Sequence, residues 1–239
     1  MKNGASPCTR CGHELCARKV ALFSGLDTAE LQGVLDLIIR RRVPKGEPLF
    51  SEGDPSDSLI IINSGLAKVH TESREGREQI LYLLQEGEFI GDLNLLKPSV
   101  YGFNGTALED TRLCIIRKED FDRLLHRNPD IGLKVLVYAH ERIMGLEALV
   151  QTLTLKDADA RLAGFIRRLA EKNGTAQAPA TAFTLPLSRE EMAAAIGLTR
   201  ETVSRKLGQL ADEGVIALPS ARRLEILDLQ ALEERCQHP

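Results

Sequence analysis

No stretch of the chain approaches the roughly 18 consecutive apolar residues that a helix needs to cross a bilayer, and Met1-Lys2-Asn3-Gly4 opens without the apolar run of a signal peptide. The expected compartment is the cytoplasm, with no membrane partner. An excess of one charge is also missing: 31 Lys and Arg against 34 Asp and Glu leave a net charge of -3, which excludes coating nucleic acid by bulk charge but allows a small local reading surface. There is no nucleophile motif, phosphate-cradling loop or paired-acid constellation, so the chain is not read as an enzyme. The five cysteines do not form a disulfide framework. Cys8, Cys11 and Cys16 fall within nine residues, while Cys114 and Cys236 stand alone. In a reducing compartment such a trio is a metal site or a redox device, and three ligands call for a fourth from elsewhere in the fold.

What is present is enough to build a core: 239 residues, 43% hydrophobic and 27% charged, predict one large or two smaller domains. From Leu37 to Arg117 short apolar pieces alternate with turn residues. The pieces are Leu37 to Val43, Leu59 to Asn63, Leu66 to His70, Gln79 to Leu84 and Leu113 to Arg117. The turns are Pro44-Lys45-Gly46, Glu52-Gly53-Asp54-Pro55, Asn63-Ser64-Gly65 and Glu75-Gly76. That pattern predicts an antiparallel β-barrel or roll.

After Asn128-Pro129 the period becomes helical. Leu136, Ala139, Ile143, Leu146, Val150 and Leu153 recur at spacings of three and four, flanked by Lys134, His140, Glu141, Arg142 and Glu147. This predicts a coiled-coil seam and a homodimer, against the plainer alternative of a helix packed on its own domain. A second helix runs from Asp157 to Lys172 with Asn173-Gly174 as its stop, and Thr175 to Ala182 reads as a loop.

Ser188-Arg189-Glu190-Glu191 is a capping box that opens a short helix ended by Gly197, and Thr199 caps a second helix running to Gly214. Two helices joined by Gly197-Leu198-Thr199 predict a helix-turn-helix. Val215 to Leu218, a turn at Pro219-Ser220-Ala221, and Arg222 to Ile226 predict a hairpin wing with two arginines. On the second helix Val203, Leu207 and Leu210 face inward, which turns Arg200, Glu201, Ser204, Arg205 and Gln209 outward. Arginine grips guanine with two donors, glutamate accepts from cytosine, and a hydroxyl at a helix start binds phosphate. Thr199, Arg222 and Arg223 are the expected phosphate contacts.

In this order, β-roll, long helix and a winged helix-turn-helix reading Leu198-Thr199-Arg200-Glu201-Thr202-Val203-Ser204-Arg205, the chain resembles the cyclic-AMP receptor protein and fumarate-nitrate reduction regulator superfamily of bacterial transcription factors. Glu52-Gly53-Asp54-Pro55 through Ser64-Gly65 looks like the family's roll signature, and Ala160-Arg161-Leu162-Ala163 like the start of its DNA-binding domain. The resemblance implies an α+β fold with an antiparallel, cupin-like jelly roll. It divides the chain into a cysteine-rich segment at 1–19, a roll sensor at 20–127, a dimerisation helix at 128–156 and a DNA-binding domain at 157–239. Double-stranded DNA, a second copy of the chain and RNA polymerase are the implied partners. Glu201, Ser204 and Arg205 match the residues that read the family's half-site, which implies a palindrome of the TTGAT type.

Cyclic-nucleotide binding is not expected. Nucleotide-binding members follow a Gly-Glu turn with an arginine and a hydroxyl, because a buried phosphodiester needs a bidentate cation. Here Gly87-Glu88 is present, but no arginine lies between Arg77 and Arg112, and the matching stretch is Tyr101-Gly102-Phe103-Asn104. The cysteines resemble those of the oxygen-sensing branch instead, with Cys8, Cys11 and Cys16 as the cluster and Cys114 at the distant ligand. The implied cofactor is a four-iron four-sulfur (4Fe-4S) cluster sensing oxygen or nitric oxide. Four residues separate Cys11 from Cys16 where the best-known members have five. Zinc or a thiol-disulfide switch fits the same four thiols, with a small organic effector in the roll as the corresponding alternative sensor. Cys236 is expected to be a spare thiol.

Overall fold

Turn residues cut the first half of the chain into short strands: β1 (Ile39–Val43), β2 (Pro48–Phe50), β3 (Ser58–Ser64), β4 (Ala67–Glu72), β5 (Glu78–Leu84), β6 (Phe89–Ile90), β7 (Asn104–Ala107) and β8 (Thr111–Arg117). The structure is a computed structural model that describes residues 20–91, 99–154, 157–173 and 181–237. The strands form two four-stranded sheets, ordered β1-β8-β3-β6 and β2-β7-β4-β5, and the pairs β1 with β8, β3 with β8 and β4 with β7 are antiparallel. This is the expected roll. Its sharp corners use glycine where no other residue fits. Gly65 has φ +102°, and a Cβ there would lie 2.7 Å from Thr111 Oγ1 and 2.8 Å from Thr111 Cα. Gly65→Ala should therefore cost about 2 to 4 kcal/mol, from left-handed strain plus displacement of a backbone neighbour, read as a lower urea midpoint.

Helices cover one face of the first sheet. α1 (Thr28–Leu37) begins at a capping box between Asp27 and Glu30, and α2 (Lys118–Arg127) follows β8 directly. Leu37 thus ends a helix instead of opening a strand, because Leu31, Val34 and Leu35 bury at helical spacing. One core joins Val20, Leu22 and Phe23, α1, Phe121 and Leu124 of α2, and Leu59, Ile61, Cys114 and Ile116 on the sheet. Ile131 and Val135 belong to it too, from α3 (Asp130–Thr154), a helix of 25 residues.

The described residues fall into two compact units divided at Met144 and Gly145 within α3, with Glu72–Leu81 grouped with the second. In the second unit α4 (Ala158–Asn173), α5 (Arg189–Ile196), α6 (Arg200–Asp212) and α7 (Leu229–Gln237) accompany the strands β9 (Thr181–Thr184), β10 (Ile216–Ser220) and β11 (Arg223–Ile226), ordered β10-β11-β9. Residues 181–184 therefore belong to a strand where the sequence predicts a loop ending at Ala182. Phe183 buries opposite Leu224, a pairing 41 residues distant in the chain that no local pattern announces. No helix among the described residues is long and apolar enough to cross a membrane.

Candidate functional site

The α5–α6 pair has the geometry that its caps predict. Ser188 Oγ accepts from the Glu191 amide, the Glu191 carboxylate accepts from the Ser188 amide at 2.6 Å, and Gly197 ends α5 in the left-handed conformation at φ +65°. Thr199 Oγ1 accepts from the Thr202 amide at 3.2 Å and so starts α6 after two residues of turn. Arg161 on α4 donates to the Gly197 carbonyl at 3.2 Å, placing a cation against the carbonyl end of α5. Lys206 on α6 meets Asp159 on α4 at 2.6 Å. These contacts hold α6 by its buried side, where Val203, Leu207 and Leu210 are inaccessible.

Thr199, Arg200, Glu201, Ser204, Arg205 and Gln209 are exposed, as expected for one outward surface. In the wing, Ser220 pairs with Arg223 and an irregularity falls between Ala217 and Ser220. Arg222 therefore occupies the turn instead of opening a strand, because Pro219 and Ser220 extend β10. The Leu185 amide donates to the Arg222 carbonyl at 2.7 Å and fixes the wing tip, while the Arg223 guanidinium contacts Glu225 at 3.2 Å. Of the two wing arginines, Arg223 is thus the one engaged by a carboxylate. Arg205→Ala should cost about 1 to 3 kcal/mol of specific binding and relax preference at one base pair, whereas Arg222→Ala should weaken all sequences alike and flatten the salt dependence. A binding-versus-salt series separates the two, and uniform loss in both variants would make Arg205 a phosphate contact.

Cys114 lies on β8, 4% exposed, directly opposite Arg40 of β1 and Ile61 of β3. It lines a cleft of about 400 Å³ together with Arg40, Arg41, Arg42, Asn63, Arg112 and Leu113. Arg41 donates to the Leu49 and Pro48 carbonyls, and Arg42 contacts Asp110 at 2.5 Å. Hydrogen bonds from Arg42 and from the Lys45 amide hold the Asp110 carboxyl below the usual carboxylate range. Cys8, Cys11 and Cys16 lie outside the described residues. Cys236 sits half-buried on α7 with its thiol donating to the Leu232 carbonyl at 3.3 Å, and burial pushes its pKa up.

The stretch Tyr101 to Asn104 packs its aromatic rings against those of the sheet. Phe50 and Tyr101 stack with ring centroids 4.0 Å apart, and Phe103 meets Phe50 and Tyr82 edge-on. Arg142 of α3 lies over Tyr82 and Tyr138 and donates to the Phe89 carbonyl at 2.7 Å. The six expected seam positions on α3 divide. Leu136, Ile143 and Val150, seven residues apart, are 58%, 53% and 61% exposed. Ala139 is 7% exposed in its own unit, Leu146 is half-buried, and Leu153 packs beside Gly197. Leu133, Val137 and Met144 are exposed in their place, so the open stripe is rotated from the seam read in the sequence. A period of 3.5 gives the spacing of a stripe, and the surroundings decide which neighbouring stripe the protein's own core takes.

The fold and this surface define a DNA-binding transcription regulator, not an enzyme. Family models agree: the cyclic nucleotide-binding domain matches residues 40–128, and the Crp-like helix-turn-helix domain matches residues 160–235. Electron transport regulator A of Shewanella oneidensis is 32% identical over 216 residues, covering 90% of this chain and 86% of that protein. The cyclic AMP receptor protein of Thermus thermophilus is 31% identical over 213 residues, covering 89% and 95%. The anaerobic regulatory protein of Pasteurella multocida is 32% identical over 205 residues, covering 84% and 73%. The chain belongs to the CRP/FNR superfamily of transcription regulators.

Proposed function

We propose that this chain is a homodimeric regulator that reads a palindrome with TTGAT-type half-sites under the control of a 4Fe-4S cluster held by Cys8, Cys11, Cys16 and Cys114. The observation that carries the reading is the company Cys114 keeps. It is buried in the same core as Val20, Leu22 and Phe23. Three residues separate Cys16 from Val20 along the chain, which limits their separation to about 14 Å. Chain length thus limits how far Cys16 can lie from the core that holds Cys114, and four thiols match the donor set of the cofactor. Similarity to an anaerobic regulatory protein agrees with this chemistry.

Such a cluster supplies one-electron redox chemistry and sensitivity to oxygen when bound. Cys114 would anchor it to β8, and the trio would tie the N-terminal segment to the same face. Val20 and Leu22 share their core with Ile131 and Val135 of α3, so a change in that tie reaches the first turns of the long helix by direct packing. The exposed stripe of α3 would pair two copies, and α6 of each would enter successive major grooves about 34 Å apart. Thr199, Arg222 and Arg223 would hold phosphates, while Glu201, Ser204 and Arg205 read bases. RNA polymerase is the expected partner on DNA. No cyclic nucleotide is required, given the rings at Phe50, Tyr101 and Phe103.

The test is an anaerobic preparation with iron, sulfide and zinc counted. A brown protein whose visible absorbance bleaches in air supports the cluster. A colourless protein with stoichiometric zinc, or with neither metal, replaces it with a zinc-stabilised or thiol-switched sensor.

A further inference from the structure

One ion pair ties the DNA-reading helix to its support. Lys206 stands midway along α6, next to Arg205 in the chain but turned about 100° from it, on the side that meets α4. Its Nζ lies 2.6 Å from the Asp159 carboxylate, with the two side chains 17% and 35% exposed. Asp159 belongs to the first turn of α4, where the helix dipole favours a carboxylate. The other attachments of α6 are less directional. Val203, Leu207 and Leu210 hold it by apolar burial, and Arg161 holds only the turn before it, through the Gly197 carbonyl. Neither sets the last few degrees of roll about the axis of α6. A side-chain tip about 7 Å from that axis moves about 2 Å for a roll of about 15°, which is more than a hydrogen bond to a base edge tolerates.

We propose that Lys206 is a positioning residue for DNA reading: its bond to Asp159 fixes the roll of α6, and with it the aim of Glu201, Ser204 and Arg205, without touching DNA itself. The inference rests on the base-reading role given above to those three residues, and on no property of the roll or its effector. A largely buried ion pair between helices adds little net stability, because desolvation offsets the attraction, and its best-attested use is to fix register. Aim and stability can therefore be measured apart.

In the experiment, full-length wild type enriches a duplex from a random pool, both anaerobically and in air, and the state that enriches is kept. Binding to that duplex and to a scrambled one of equal length is then measured for each variant, well below its melting temperature. Lys206→Met should lose roughly five- to a hundredfold in affinity for the enriched duplex, the cost of about one mismatched base pair, with the scrambled duplex bound as before and the salt slope unchanged. Lys206→Arg keeps the bond and should recover most of that loss. The double variant Asp159→Asn/Lys206→Met should melt near wild type and remain as unselective as Lys206→Met. Arg167→Gln, which breaks an ion pair to Glu171 within α4, should change neither selectivity nor salt slope. A loss on both duplexes with the salt slope lowered by about one makes Lys206 a phosphate contact and overturns the inference. Unchanged selectivity in Lys206→Met, or selectivity regained in the double variant, overturns it too. A wild type that enriches no duplex overturns the base-reading role itself instead.

Discussion

Cys114→Ser should leave the anaerobically reconstituted protein without its visible absorbance, with iron falling from about four per chain to near zero, while Cys236→Ser assembles the cluster as wild type does. In the proposed cluster, removing one thiolate would leave an iron site without its fourth protein ligand. The strand partners of Cys114, Arg40 and Ile61, offer no soft anionic ligand. The substitution replaces a buried thiol with a hydroxyl of similar size, so a modest stability loss of about 1 to 3 kcal/mol is expected alongside. Circular dichroism and a melting curve separate that loss from loss of the cofactor. Cys236 serves as the control because it stands on α7, in the other compact unit, bonded to its own helix and held protonated by burial. A Cys114→Ser protein with a full complement of iron and sulfide would refute the ligand assignment.

Local signals made the DNA-reading surface legible in the sequence. The Ser188 and Thr199 caps, the left-handed Gly197 and the inward spacing of Val203, Leu207 and Leu210 each depend on residues within one or two turns, and all appear in the structure as expected. The elements that escaped are those whose partners are distant or whose length is small. β2, β6 and β7 have two to four residues each, too few for alternation to register, and β9 exists only because β11 pairs with it. α1 is different, since its signal is local: Asp27 and Glu30 have capping-box spacing, but the apolar run at Leu37 to Val43 predicts a strand that begins inside the helix. α2 carries no such excuse of length either, with Phe121 and Leu124 buried at helical spacing and acidic residues in its first turn. The arginine cleft could not be read along the chain, because the register of β1 against β8 brings Arg40 to Cys114 from 74 residues away.

Cluster-free wild type should sediment as a dimer at micromolar concentration, so oxygen control would act on the orientation of the DNA-binding domains more than on association. An acidic pair across a helix seam opposes dimerisation through repulsion and desolvation, and this sequence has Leu146 within the seam read along the helix. Leu146 presents no such opposition. The structure shifts the main energetic weight to its neighbours, since Leu136, Ile143 and Val150 are more than half exposed in the single chain while Leu146 is already half-buried. An exposed apolar stripe of this length on one helix is the mark of an interface. Burying the part of each such side chain that is still exposed contributes on the order of 1 to 2 kcal/mol, so two copies of three residues supply an amount comparable with the cost of association. Ile143→Asp is therefore the sharper control. It should give monomers at micromolar concentration with little change in melting temperature, because the side chain has few contacts of its own to lose, whereas Leu146→Asp should weaken both association and stability. A monomeric cluster-free wild type would show that the stripe is insufficient and that association itself is the switch.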